Sequence, residues 1–348
     1  MMPREGLREP RFVLAPMDGM THASFRSVCF EYGADGATTE MIQSLAYGRA
    51  KKRMSEAFEQ TLMRFPGEGN LAAQLIGSDP DTMAESARRL TALNRFDAIE
   101  INMGCPARKV VGSGNGSAVL RDPELAERLL AAVRGATALP VRVKLRLGWD
   151  EDHVVAPRII LAAEELGYES ATLHGRTRAQ MYRGTVDAAA IRAVCESVHM
   201  PVYANGGVTD ALGALTFLRE TGAAGVSIGR AALKQPWIFD DIRRLRRGEP
   251  PAERLAPERI SLLVRLAELS CLCRPERVAI CEMRKFSGWW LPGFTGADEI
   301  LQRLNRVSAL DEFRRLMEAY TGELERRGDL RVHPELMPET SLDTVKRI

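Results

Sequence analysis

LAAQLIGSDPDTMAESARRLTALNRFDAIEIN, residues 71–102, holds the pattern that decides the fold. LAAQL (71–75) is a short apolar run of strand length. DPDTMAESARRLTAL (79–93) has helical period. Its Asp-Pro opening is a helix-start signal, because proline at the first helical position lacks only an N–H that would be unpaired there anyway. AIEIN (98–102) is a second apolar, β-branched run. Strand, helix and strand in this order form a unit of a parallel sheet.

The same alternation extends in both directions. FVLA (12–15) and GATT (36–39) precede it. VRVKL (141–145), SATLH (170–174), VYAN (202–205) and GVSIG (225–229) follow, with DPELAERLLAAVRGA (122–136) among the intervening helical segments. Eight strands separated by helices predict an α/β fold, a (β/α)8 TIM barrel. A doubly wound open sheet is the alternative; the count of eight and the lack of a GxGxxG after the first strand disfavour it. After the eighth strand, GEPPAERLAP (248–257) reads as a linker. ERISLLVRLAELSCL, RVAICEMRKFSGWWL and GADEILQRLNRVSALDEFRRLMEAY then show helical period only. The expected organisation is a catalytic barrel over 1–247, a small all-helical C-terminal domain over 258–325 and a mobile tail over 326–348.

The 348 residues are 45% hydrophobic and 27% charged, ordinary for a soluble globular protein. No apolar run reaches membrane-spanning length, and MMPREGLREPRF has no signal-peptide core, so a cytoplasmic protein is expected. Nothing in the sequence implies a membrane or a stable protein partner. A net charge of +2 does not by itself announce nucleic acid. RRLRR (243–247) reads as a solvated helix face. The six cysteines include no CxxC, and Cys271, Cys273 and Cys281 sit in what looks like packed helix, so inert thiols are expected there.

A barrel carries its chemistry at the C-terminal ends of its strands. Those ends, in order, are Met17, Glu40, Gln74, Asn102, Lys144, His174, Asn205 and Gly229. Asn205, Gly206 and Gly207, with Gly229 and Arg230, are glycine turns running into helices. They suit a phosphate, which commonly sits after strands seven and eight. The remaining ends suit a flavin. Gln74 both donates and accepts hydrogen bonds, Lys144 opposes negative charge on a reduced ring, and His174 holds ribityl or phosphate oxygens. Lys144 is also open to an ion pair with Glu100 or to Schiff-base chemistry. In INMGCPARKV (101–110) a lone cysteine, Cys105, follows the fourth strand. Metal binding, nucleophilic attack, proton donation and space filling are all open to it on local grounds, although no base and no ligand set stand beside it.

APMDGMTHASFR, AAQLIGSDP, INMGCPARKVVGSGNGSAVLRDP, KLRLGW, LHGRTRAQMYRG, ANGGVTD and IGRAALKQPWIF together resemble the bacterial tRNA-dihydrouridine synthases, most closely their B-type branch. The resemblance spans about residues 10 to 325. It implies FMN-dependent reduction of tRNA uridines to 5,6-dihydrouridine, with NADPH as reductant. It assigns FMN to Ala15, Pro16, Met17, Gln74, Lys144, His174, Asn205, Gly206, Gly207, Gly229 and Arg230. Asn102 would help hold the target uracil. Cys105 would be the catalytic acid that gives a proton to C5 after hydride reaches C6, a role that suits a thiol protonated at neutral pH. The basic residues Arg108, Lys109, Arg176, Arg178 and Arg183 would meet RNA, and Tyr182 would stack on or line the uracil pocket. The helical domain would grip the tRNA body through Arg284, Lys285, Arg303 and Arg306. The sequence departs from the B-type pattern at Phe286, where histidine is usual, at Leu291-Pro292, where lysine–glycine is usual, and in NGGV, where NGDI is common.

A flavin barrel acting on a free pyrimidine, a catalytically silent RNA-binding module and a sugar-phosphate aldolase are the competing readings. The appended helices and loop arginines disfavour the first, the intact Cys105 and Lys144 the second.

Overall fold

A computed structural model describes residues 9, 11–49 and 58–337. Its strands are β1 (Arg11–Leu14), β2 (Ala37–Gln43), β3 (Leu71–Ile76), β4 (Ala98–Met103), β5 (Val141–Arg146), β6 (Ser170–His174), β7 (Val202–Asn205) and β8 (Gly225–Ile228). All neighbouring pairs are parallel, and β1 pairs with β8 (Leu14 opposite Ile228) to close an eight-stranded barrel. The expected (β/α)8 architecture is therefore the observed one. Closure leaves no strand edge and buries every residue of β3 and β4, which explains why those runs read as apolar throughout.

The helices between the strands start as their sequences predict. Asp79 accepts the N–H of Thr82 at 2.8 Å with Pro80 in the first turn, and Asp122 accepts that of Leu125 at 2.8 Å ahead of Pro123. Asp187 and Asp210 cap the helices before β7 and β8 in the same way. Each such cap satisfies a donor that the first helical turn leaves open.

Four strands, β2 to β5, end later than the sequence suggests, β3 and β4 by one residue each. β2 runs on to Gln43 through a register shift between Thr38 and Met41, so Glu40 lies within that irregularity rather than at the strand end. β5 gains Arg146, with consequences for the mouth. RRLRR is a paired surface face: Arg243 meets Asp35 at 3.0 Å, and Arg247 meets Glu249 at 2.8 Å. Among the described residues, no helix is long and apolar enough to cross a membrane.

The chain divides into two compact units. One comprises the barrel through Ala232 together with Pro236–Pro251; the other takes Leu233–Gln235 and the chain from Ala252 onward. Among its described residues the second unit contains the α-helices Ala256–Cys273, Glu276–Trp290, Ala297–Leu304 and Leu310–Arg327 and the 3-10 helix Pro334–Leu336. The first of these begins inside the segment read as a linker. The unit's core holds Met283, Phe286, Trp290, Phe313 and Met317. Trp290 is fully buried, and its indole N–H donates to the Leu233 carbonyl at 2.8 Å. Cys273 is buried, and its thiol donates to the Leu269 carbonyl. Within 326–348, the helix Leu310–Arg327 ends, His333 donates its backbone N–H to the Gly293 carbonyl at 2.7 Å, and Pro334–Leu336 form a 3-10 turn. Residues 338–348 lie outside the described residues.

Candidate active site at the barrel mouth

Two adjacent strands, β3 and β4, build the first part of the site. Glu100 on β4 accepts the amide of Gln74 on β3 at 2.7 Å, and Gln74 in turn accepts the amide of Asn102 at 2.9 Å. This fixes which way both amides point. The side-chain carbonyl of Asn102 then accepts the backbone N–H groups of Gly104 at 3.0 Å and Cys105 at 2.9 Å. The loop after β4 is thus pinned at its start by a relay that begins at a buried carboxylate. Further along, Ser117 pins it again by donating both its N–H (3.1 Å) and its hydroxyl (2.9 Å) to the Cys105 carbonyl.

Cys105 is half-buried. Burial, reinforced by the carboxylate of Asp18, raises its thiol above the ordinary range against the Ala107 N–H, Arg146 and Lys144. The group is a thiol, not a thiolate, at neutral pH.

The opposite arc is cationic. Lys144 donates to the Asn205 side-chain carbonyl at 2.8 Å, and Asn205 donates to the Ser227 carbonyl at 2.7 Å, tying β5, β7 and β8 together. Burial, helped by Arg146 and opposed by Glu100, brings Lys144 down to about 8. His174 is buried, and desolvation pushes it well below its ordinary value; the fields of Arg146, Lys144, Arg176 and Arg230 act in the same direction. Its Nδ1 has no hydrogen-bond partner, and neither does the buried Nη1 of Arg176. An unpaired buried guanidinium N–H and an unpaired ring nitrogen beside crowded positive charges suit an anion.

The glycines make room beside them. Gly206 and Gly207 hold φ of +109° and +75°, and a methyl group on Gly206 would come within 3.0 Å of His174 Nε2. Gly229 faces Met17 and Ala15, whose strand is fastened to β8 by the Ala15 N–H to the Ile228 carbonyl at 2.9 Å. Glycine backbone is therefore present at the β7 and β8 ends, beside Arg230. This donor set fits a phosphate-bearing group.

A model of the dihydrouridine synthase family matches residues 13–325. The chain belongs to the dihydrouridine synthase family. It is 37% identical over 305 residues to the tRNA-dihydrouridine synthase B of Pseudomonas aeruginosa, covering 86% of this chain and 90% of the relative. It is 36% identical over 316 residues to that of Escherichia coli K12, covering 89% and 95%. It is 38% identical over 307 residues to that of Xanthomonas axonopodis, covering 87% and 90%.

In this member of the dihydrouridine synthase family, the residues named from sequence fall into three groups. Gln74, Asn102, Cys105, Lys144, His174, Asn205, Gly206, Gly207, Arg176 and Arg230, with Ala15, Pro16, Met17 and Gly229, come from the strand ends and the loops that follow them. Tyr182 joins them, half-exposed, with the guanidinium groups of Arg230 and Arg146 at 5.1 and 5.3 Å from its ring centre. Arg108 and Lys109 are exposed at the start of the short helix Arg108–Gly112, and Arg183 is exposed on the loop after β6. Arg284 and Lys285 belong to the helical unit. Arg284 donates to the carbonyls of Leu304 and Val307 at 3.3 Å each, closing a helix end, whereas Lys285 is exposed.

Two residues escaped the sequence reading. Arg146, almost fully buried, donates to the carbonyls of Gly104 (3.0 Å), Thr177 (2.9 Å) and Met181 (2.6 Å), locking the β4 and β6 loops together. Its position at the true end of β5 was the available signal. Asp18 contributes a charge next to Cys105, and it lay unremarked inside the quoted APMDGM stretch.

Proposed function

We propose that this chain reduces uridines of tRNA to 5,6-dihydrouridine, with FMN as resident cofactor and NADPH as reductant. The observation that carries the reading is a thiol held protonated on a doubly pinned loop, across from a cationic, glycine-lined arc with unpaired donors. FMN, when bound, supplies the hydride that goes to C6 of the uracil ring.

The protein's own groups do the rest. Gly206, Gly207, Gly229 and Arg230, with the orphaned donors of His174 and Arg176, hold the cofactor's phosphate and neighbouring oxygens. Neutral His174 can donate there without adding to the local positive charge. Lys144, steered by Asn205, opposes negative charge at the ring. Gln74, with its amide orientation fixed by Glu100 and Asn102, offers its remaining N–H to the ring's polar edge. Cys105 gives its proton to C5 of the base, and the raised thiol pKa keeps that proton available. The base must leave the stack to reach such a site, as in other enzymes that act on a nucleobase.

Rim charge favours RNA over a free pyrimidine. Arg108, Lys109, Arg121, Arg178 and Arg183 have no carboxylate partner in the described structure, whereas Arg88, Arg95, Arg142 and Arg158 each form an ion pair. Unneutralised cations around one opening suit a polyanion.

The test is tRNA from cells lacking dihydrouridine, incubated with the protein and NADPH, digested and mapped by mass spectrometry. A uridine that gains two hydrogens at a defined position is expected. Unchanged tRNA with a flavin-loaded, NADPH-oxidising protein would remove tRNA from the reading.

A further inference from the structure

Two of these rim cations share one aromatic ring. The guanidinium carbons of Arg121 and Arg178 lie 3.8 and 4.5 Å from the centre of the same indole ring, that of Trp149. We infer that Arg121, Trp149 and Arg178 form a phosphate-binding site for a nucleotide flanking the extruded uridine. The inference rests on the reading of the chain as an enzyme of tRNA.

Three loops meet here, and each is fixed. Arg178 and Ala179 donate their backbone N–H groups to the carbonyls of Gly148 and Trp149, both at 2.9 Å, which joins the loops after β5 and β6. Trp149 closes its own turn by donating to the His153 carbonyl at 3.1 Å. That turn requires Gly148, where a methyl group would fall 1.9 Å from the same carbonyl oxygen. Arg121 ends the 3-10 helix Gly116–Arg121, whose Ser117 is hydrogen-bonded to the Cys105 carbonyl. The stack is therefore built onto the loop that carries the proton donor.

Charge identifies the ligand. Neither Arg121 nor Arg178 pairs with a carboxylate in the described structure, and the buried Nε of Arg178 has no hydrogen-bond partner. Two cations gathered on one ring repel each other, and the ring's π-face offsets only part of that. An anion completes the cluster. Arginine offers two parallel donors to a phosphate, and stacking on the indole removes much of the rotamer freedom that each guanidinium would lose on binding. A phosphate held here would register the RNA backbone relative to Cys105, which positions the substrate without reading its sequence.

The experiment measures tRNA binding to the flavin-loaded enzyme by fluorescence anisotropy across about 50 to 200 mM salt. Wild type is compared with Arg121→Gln, Arg121→Lys and Trp149→Leu. Arg121→Gln is expected to weaken binding and lower the slope of log K against log salt by about 1, and Arg121→Lys to restore most of that slope. Trp149→Leu is expected to weaken binding several-fold while deleting no charge. Arg121 is exposed, so its variants keep the test independent of any folding defect at Trp149. If wild type binds and reduces tRNA while both Arg121 variants keep its affinity and slope, the stack is structural and this inference is overturned alone. If wild type neither binds nor reduces tRNA, the functional reading falls, and this site with it.

Discussion

The side-chain carbonyl of Asn102 accepts the backbone N–H of Cys105 at 2.9 Å, while its amide donates to Gln74. Asn102 thus spends its carbonyl and one amide hydrogen within the protein, and its carbonyl holds the start of the Cys105 loop. Asn102→Ala is expected to keep flavin content and lower single-turnover uridine reduction by about 10²-fold, the cost of misplacing a reacting group by roughly an ångström. Wild-type turnover with the loop unpinned would sink this role.

Removing the thiol separates the two half-reactions. Cys105→Ala is expected to oxidise NADPH at close to the wild-type rate and to lose about 10²- to 10⁴-fold in uridine reduction, the usual contribution of a general acid. Stopped-flow flavin absorbance reports the first, and mass spectrometry of the tRNA the second. Equal tRNA turnover by mutant and wild type would remove Cys105 from the chemistry.

Lys144 sets a pH limit. Its folded pKa of about 8 lies below the ordinary 10.5, so it loses its charge as pH rises through about 8. Flavin phosphate affinity of the apoprotein, followed by fluorescence quenching, is expected to fall over that range and to fall less in Lys144→Arg. Between about 8 and 10.5 the unfolded chain holds the proton that folded Lys144 has lost, so this residue makes stability rise with pH there. An affinity flat through pH 8 would argue against a charged Lys144 at the cofactor.

Phe286 tests whether the departures from the B-type pattern belong to tRNA contact. It is buried and packs edge-on against Trp289 and Trp290 at 5.6 and 5.5 Å between ring centres. Phe286→Ala is expected to destabilise the protein by about 3–5 kcal/mol. Phe286→His is expected to lower the melting temperature through an unpaired buried imidazole without strengthening tRNA binding. Tighter tRNA binding by Phe286→His would show that this position faces RNA after all.

A methyl group tests the backbone-lined approach to the phosphate. Gly206→Ala strains a φ of +109° and crowds His174 Nε2 at 3.0 Å. The purified variant is expected to lose most of its bound flavin, read from its visible absorbance. A fully yellow variant would move the phosphate elsewhere.

The elements and their order were legible from sequence because they rest on local chemistry. Apolar β-branched runs make strands, and Asp79 and Asp122 cap helices within a few residues of their own chain positions. The motif residues Cys105, Lys144 and His174 stood out because strand ends in a barrel converge. What the sequence left hidden depends on partners far along the chain. Arg146 lies one residue past the strand read from sequence, and only the fold brings it the carbonyls of Thr177 and Met181. Arg121 and Trp149 carry no role in the linear string, and only the fold stacks them with Arg178. Periodicity and capping are short-range and survive in a linear string. Which donors are left unpaired, and which cations share a ring, is decided only when strands distant in sequence close into one barrel, because burial and Coulomb fields depend on distance in space.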